Sequence, residues 1–267
     1  MTALRFRRLR ILVLLGLLVA AGSLTFLEQW MVRGWRGPLE VQIIPVNGDG
    51  SARAGAMIAA LQPGDFDEIN AFLEREIARY GAPVSPAIHL SLKPALHAQP
   101  PAPPSGGGAL ANIVWSLKLR WWVYRQSGQW LPHLGTVKLF LLFHTAREGV
   151  ALEHSLGLQK GLIGVIHVFA DARQQRQNAI VIAHELLHTL GASDKYAAGG
   201  WPVYPDGYAD PDLPQSVPRR EAEIMAGRHV AATGRLVMPA SLDACVIGPA
   251  TAREINLDQA FRNRYGS

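Results

Sequence analysis

Apolar residues recur along the chain with two different periods, and the changes of period mark its elements. Glu40–Val46 (EVQIIPV) reads as a strand and is ended by the turn signal Asn47-Gly48-Asp49-Gly50. Asp65–Tyr80 carries Phe66, Ile69, Phe72, Leu73, Ile77 and Tyr80 at helical spacing, with acids in its first turn. Ala87–Leu92 and Thr136–His144 (TVKLFLLFH) read as strands, and Glu153–Leu158 with Leu162–Ala170 as a hairpin around Lys160-Gly161. Ala172–Leu190 is expected to be one long helix and Pro249–Tyr265 a final one. Ala109–Gln126 is ambiguous: it starts like a helix, yet Leu117–Trp121 (LKLRW) alternates like a strand. Pro94–Gly108 and residues 197–220, rich in Pro and Gly, read as loops. This order predicts an α/β fold with one mixed sheet, in a single domain over residues 37–267.

The first 36 residues follow another pattern. Arg5, Arg7, Arg8 and Arg10 precede Ile11–Leu27, a run of 17 residues without charge. The run predicts an N-terminal transmembrane helix with its Arg-rich end in the cytoplasm and the following domain periplasmic or extracellular, a single-pass membrane protein. A secretory signal cleaved near Val19–Gly22, giving a secreted protein, is the rival expectation.

The formal net charge of +5 changes meaning once it is located. Residues 1–36 hold six Arg against Glu28, which leaves 20 basic and 20 acidic residues in 37–267. A balanced body argues against nucleic acid as a partner, because binding phosphates needs surplus Lys and Arg. Cys245 is the sole cysteine, which excludes an internal disulfide and any multi-cysteine metal site.

The candidate chemistry lies at the end of the 172–190 helix. His184-Glu185-Leu186-Leu187-His188 places two imidazoles at i and i+4, one turn apart on one face, where both can bind one Zn²⁺. Glu185, one position on, can reach a water beside the metal and act as general base. Gly191, three residues past the second His, suits a left-handed helix end. The chain then bends back, so that Asp194 can offer a third ligand.

HELLHTLGASD resembles the metzincin signature HExxHxxGxxH with Asp in the last position, closest to the snapalysin-like pattern HExxHxxGxxD. Glu223-Ile224-Met225-Ala226 resembles the methionine turn of that family. The resemblance is specific over about residues 153–227. It implies a zincin-like fold, His184, His188 and Asp194 as zinc ligands, Glu185 as general base and acid, Gly191 as the turn and Met225 as the floor of the site. It also implies that Glu153–Leu158 is an edge strand pairing with extended substrate. Glu223 is the alternative third ligand. Tyr196 is a candidate for stabilising an oxyanion, since Gly227 stands where a ligating tyrosine would follow Met225 by two positions.

The expected function is that of a zinc metallopeptidase, membrane-anchored through its N-terminal helix, that hydrolyses peptide or protein substrates. The alternative is a non-catalytic, zinc-stabilised binding module at the cell envelope.

Overall fold

The computed structural model describes residues 3–104, 106, 108–127, 135–146, 156–158 and 162–258. Helix α1 (Ala3–Arg33) leads into β1 (Leu39–Asn47), α2 (Ala52–Ala60), α3 (Asp67–Arg79), β2 (Ile88–Leu92), α4 (Ala109–Ser127) and β3 (Thr136–His144). Strands β4 (Leu156–Leu158) and β5 (Ile163–Phe169) follow, then α5 (Gln175–Leu190). After α5 the chain forms short paired segments, β6 (Ala222–Glu223), β7 (His229–Val230), β8 (Leu236–Val237) and β9 (Cys245–Val246), and ends in α6 (Pro249–Glu254).

The main sheet has five strands in the order β2-β1-β3-β5-β4. Four are parallel, and the edge strand β4 runs antiparallel to β5, with Gly157 opposite Gly164. The expected mixed sheet is therefore present. Residues 153–155 and the turn at Lys160-Gly161 lie outside the described residues, as does the expected helix beyond Asp258.

β3 is apolar on both faces because helices cover both. Val137, Leu139, Leu141 and Phe143 enter the larger core with Ile69, Phe72 and Leu73 of α3 and Ile182, Ala183 and Leu186 of α5. Phe140 and Leu142 face the other way and meet Leu119 and Val123 of α4. The Trp122 ring stands edge-on to Phe140, with centroids 4.9 Å apart. α4 resolves the ambiguous segment as helix throughout. Trp115, Leu119, Trp122 and Val123, at i, i+4, i+7 and i+8, form the sheet-facing stripe. The short alternation at Leu117–Trp121 comes from an outer face that is itself apolar, with Leu117 and Trp121 both exposed. Leu119 is fully buried, so Leu119→Ala should destabilise the fold by about 2–5 kcal/mol in a urea titration. An alanine tolerated at less than about 1 kcal/mol would contradict this packing.

Two helix boundaries differ from expectation. The long helix is preceded by a 3₁₀ turn at Ala172–Gln174, whose Asp171 cap accepts from the Arg173 amide. The final helix stops at Glu254, and Asn256 takes a left-handed φ of 62° that ends it. α2 was not expected; Ser51 caps it by accepting from the Ala54 amide.

The N-terminal expectation is corrected. Among the described residues, no helix is long and apolar enough to cross a membrane. This contradicts the transmembrane helix in the expected fold and the single-pass topology. The run Ile11–Leu27 rises only about 26 Å as a helix, short of the ~30 Å of a hydrocarbon core. The end of α1 belongs to the body instead. Val32 and Trp35 are buried in the larger core. The Trp35 indole donates to the Ile255 carbonyl at 2.9 Å, and the Asn256 amide donates to Arg33 O at 2.8 Å.

Candidate metal centre

Helix α5 lays Ala179, Ile180, Ile182, Ala183, Leu186, Leu187 and Leu190 into the core. That fixes the rotation of the helix and leaves His184 and His188 turned toward the segment that follows it. Gly191 caps the helix in the left-handed region at φ 106°, where its amide bonds to His188 O and the Ala192 amide to Leu187 O. A side chain there would be strained. The turn brings residues 192–194 back over the helix end.

Three atoms converge as a result. His184 Nε2 and His188 Nε2 are 3.1 Å apart, and Asp194 Oδ1 lies 3.2 Å from the first and 3.1 Å from the second. Both outer ring nitrogens are engaged elsewhere: His184 Nδ1 donates to Ile224 O at 2.9 Å and His188 Nδ1 to Ala192 O at 2.8 Å. These partners set the tautomer. A neutral imidazole with its proton on Nδ1 has a bare lone pair on Nε2. Two such lone pairs and a carboxylate oxygen at this spacing suit a cation among them, a metal ion or a proton. Tetrahedral ligands at about 2.0–2.1 Å from zinc stand about 3.3 Å from one another, so the donor set fits that ion in spacing as well as in type.

The Asp194 carboxylate also favours a proton on His184 Nε2, which competes with a metal for that atom. Burial opposes a charge on His184, but Asp194, Ile224 O and Glu185 outweigh it and hold its pKa above the ordinary value. The hydrogen bond from His184 is the main influence holding the Asp194 carboxyl below its usual range, against partial burial. Glu185 is buried, and its carboxylate lies with the two imidazoles in a cluster whose ligand atoms are all within 4.8 Å of one another. Burial first, and then the Asp194 carboxylate, push the Tyr196 phenol upward. Its ring is partly exposed beside the site.

Met225 is fully buried at the turn whose preceding carbonyl, Ile224 O, receives His184. Glu223, the alternative ligand, turns away from the histidines. Its carboxylate accepts from the Ala226 amide at 3.0 Å, the Gly248 amide at 3.2 Å and the Thr251 hydroxyl at 2.6 Å. Burial pushes its pKa up, against those hydrogen bonds.

Other candidates lie apart. His144 and His167 bond to each other at 2.9 Å, and strand alternation puts them on the α4 side of the sheet. Asp210 caps the Asp212 amide at 3.1 Å in a local turn. Cys245 is buried, which pushes its thiol up to about 12. It should be silent to a thiol reagent at pH 8 in the native chain and count as one thiol after unfolding. Rapid native labelling would show that its enclosure is wrong.

Sequence reasoning missed the partners of the segment carrying Asp194. Glu254 accepts from the Ser193 amide at 2.8 Å, from the Ser193 hydroxyl at 2.7 Å and from Lys195 Nζ through both oxygens at 2.7 Å. No sequence signal joins residues about 60 positions apart. No family model matches the chain, and no curated protein matches it.

Proposed function

We propose that the chain is a zinc-dependent peptidase. The observation that carries this reading is the convergence of His184 Nε2, His188 Nε2 and Asp194 Oδ1 within 3.2 Å of one another, with the buried carboxylate of Glu185 alongside. His184, His188 and Asp194 would hold Zn²⁺, which when bound supplies a Lewis acid and a water acidified toward neutral pH. Glu185 has the role of proton carrier. Its carboxylate takes a proton from the attacking water and delivers it to the amine nitrogen that leaves. The two backbone carbonyls on His184 and His188 hold both rings in the orientation needed, and the apolar α5 packing keeps them rigid.

The same reading gives a substrate mode. β4 pairs with β5 on one side and is the edge of the sheet. An extended peptide lying along that edge would add a strand. Tyr196, partly exposed and close enough to Asp194 for that carboxylate to act on its phenol, would be the donor to the carbonyl oxygen as it gains charge.

The test is a peptide library incubated with the full chain before and after chelation. Cleavage that disappears with chelator and returns with added Zn²⁺ is expected. Metal that is retained and raises thermal stability without any cleavage would favour the zinc-stabilised binding module instead. A chain that takes up no zinc would defeat both.

A further inference from the structure

The two histidines of the site are mostly buried and ride on a packed helix, but Asp194 sits on an irregular segment with 44% of its side chain exposed. Something must fix that carboxylate if it is to act as a ligand. Both of its neighbours in the chain are tied to one group. Ser193 donates its amide and its hydroxyl to the Glu254 carboxylate, and Lys195 Nζ reaches both oxygens of the same carboxylate at 2.7 Å. Lys195 Nζ also donates to Ser193 O at 3.0 Å, and its backbone amide donates to Met225 O at 3.0 Å. Lys195 is buried, so its ammonium depends on Glu254 for its counter-charge. Glu254 closes α6, which is itself anchored: Thr251 bonds to Glu223, and Ile255 O accepts from Trp35.

We infer that Glu254 is a positioning residue for the third metal ligand, holding Asp194 against His184 and His188 through a clamp on Ser193 and Lys195. The inference rests on the zinc-site reading above. Glu254 touches neither metal nor substrate. With glutamine in its place, an amide donor would face Lys195 Nζ and the Ser193 donors, and the buried ammonium would lose its partner charge. The 193–195 segment would then be free to shift, carrying Asp194 away from the two Nε2 atoms. The clamp also runs onward. The Arg33 side chain donates to Glu254 O, so the end of α1 and the metal ligand share one rigid connection.

A double-mutant cycle on zinc affinity separates positioning from general stability. Zinc binding by the full chain is measured by competition with a chromogenic chelator, and the metal-free melting temperature is recorded in parallel. Glu254→Gln should weaken zinc binding roughly 10- to 100-fold, the loss seen when outer partners of metal ligands are removed. In an Asp194→Ala background the same change should alter affinity less than about twofold, because nothing is left to position. Equal losses in both backgrounds, or no loss with Asp194 intact, would overturn the inference. If Glu254→Gln does not fold, Ser193→Ala removes only the hydroxyl's bonds to Glu254 and from Lys195 Nζ and should show a smaller loss that again needs Asp194. A wild-type chain that binds no zinc defeats the site reading itself, and that is seen before any variant is compared.

Discussion

Glu185→Gln should leave zinc bound and lower peptide hydrolysis by about 10³-fold, within the range for loss of a general base. Glutamine preserves the shape of the side chain but cannot accept the proton of the attacking water. The metal should stay, because the donors proposed for it are His184 Nε2, His188 Nε2 and Asp194 Oδ1. The helix should stay too, since Leu186 and Leu187 beside it are fully buried and untouched. The measurements are zinc content by metal analysis and turnover on a cleaved library peptide. Retention of activity within tenfold of wild type, with zinc present, would exclude Glu185 as the base.

That prediction draws on the part of the site the sequence makes legible. An α-helix fixes where residues i and i+4 point, so the HExxH spacing already places two imidazoles together. A glycine three residues on fixes where the chain turns, which puts Asp194 within reach. Local rules of this kind survive folding because the contacts span only four to six residues. Glu254 is invisible to them. Its bonds to Ser193 and Lys195 close a loop of about 60 residues, and an isolated Glu in a C-terminal helix carries no mark of its partner.

The same distinction explains the differences in the fold. β3 was legible because a nine-residue run, apolar on both faces, suits only a covered strand. α4 was ambiguous because both of its faces are apolar, which masks the 3.6-residue period. α2 was missed because it is nine residues long, contains Gly55 and opens with no acid. The N-terminal run and its Arg-rich flank carry a local signal only. They do not reveal that Val32 and Trp35 belong to the core, or that Trp35 bonds to Ile255 O and Arg33 O to Asn256.

Asp194→Ala and Glu223→Ala should fail in opposite ways, and the pair decides which acid is the third ligand. Removing an outer partner of a ligand costs about 10- to 100-fold in metal affinity, so removing a ligand should cost at least about 100-fold. That is the expectation for Asp194→Ala. Its metal-free fold should be little affected, because the Asp194 side chain is about half-exposed and its neighbours keep their bonds to Glu254. Glu223→Ala should do the reverse. It orphans the Gly248 amide and the Thr251 hydroxyl in a fully buried place, while the Ala226 amide keeps its bond to the backbone carbonyl of residue 223. Each orphaned group costs about 1–3 kcal/mol, so the metal-free chain should lose on the order of 2 kcal/mol or more. Zinc affinity of the fraction that remains folded should fall far less than in Asp194→Ala. Chelator competition and denaturant melts on the two variants give all four numbers. If Glu223→Ala abolishes zinc binding at unchanged stability while Asp194→Ala retains the metal, the ligand assignment is reversed and the clamp on Ser193 and Lys195 positions nothing.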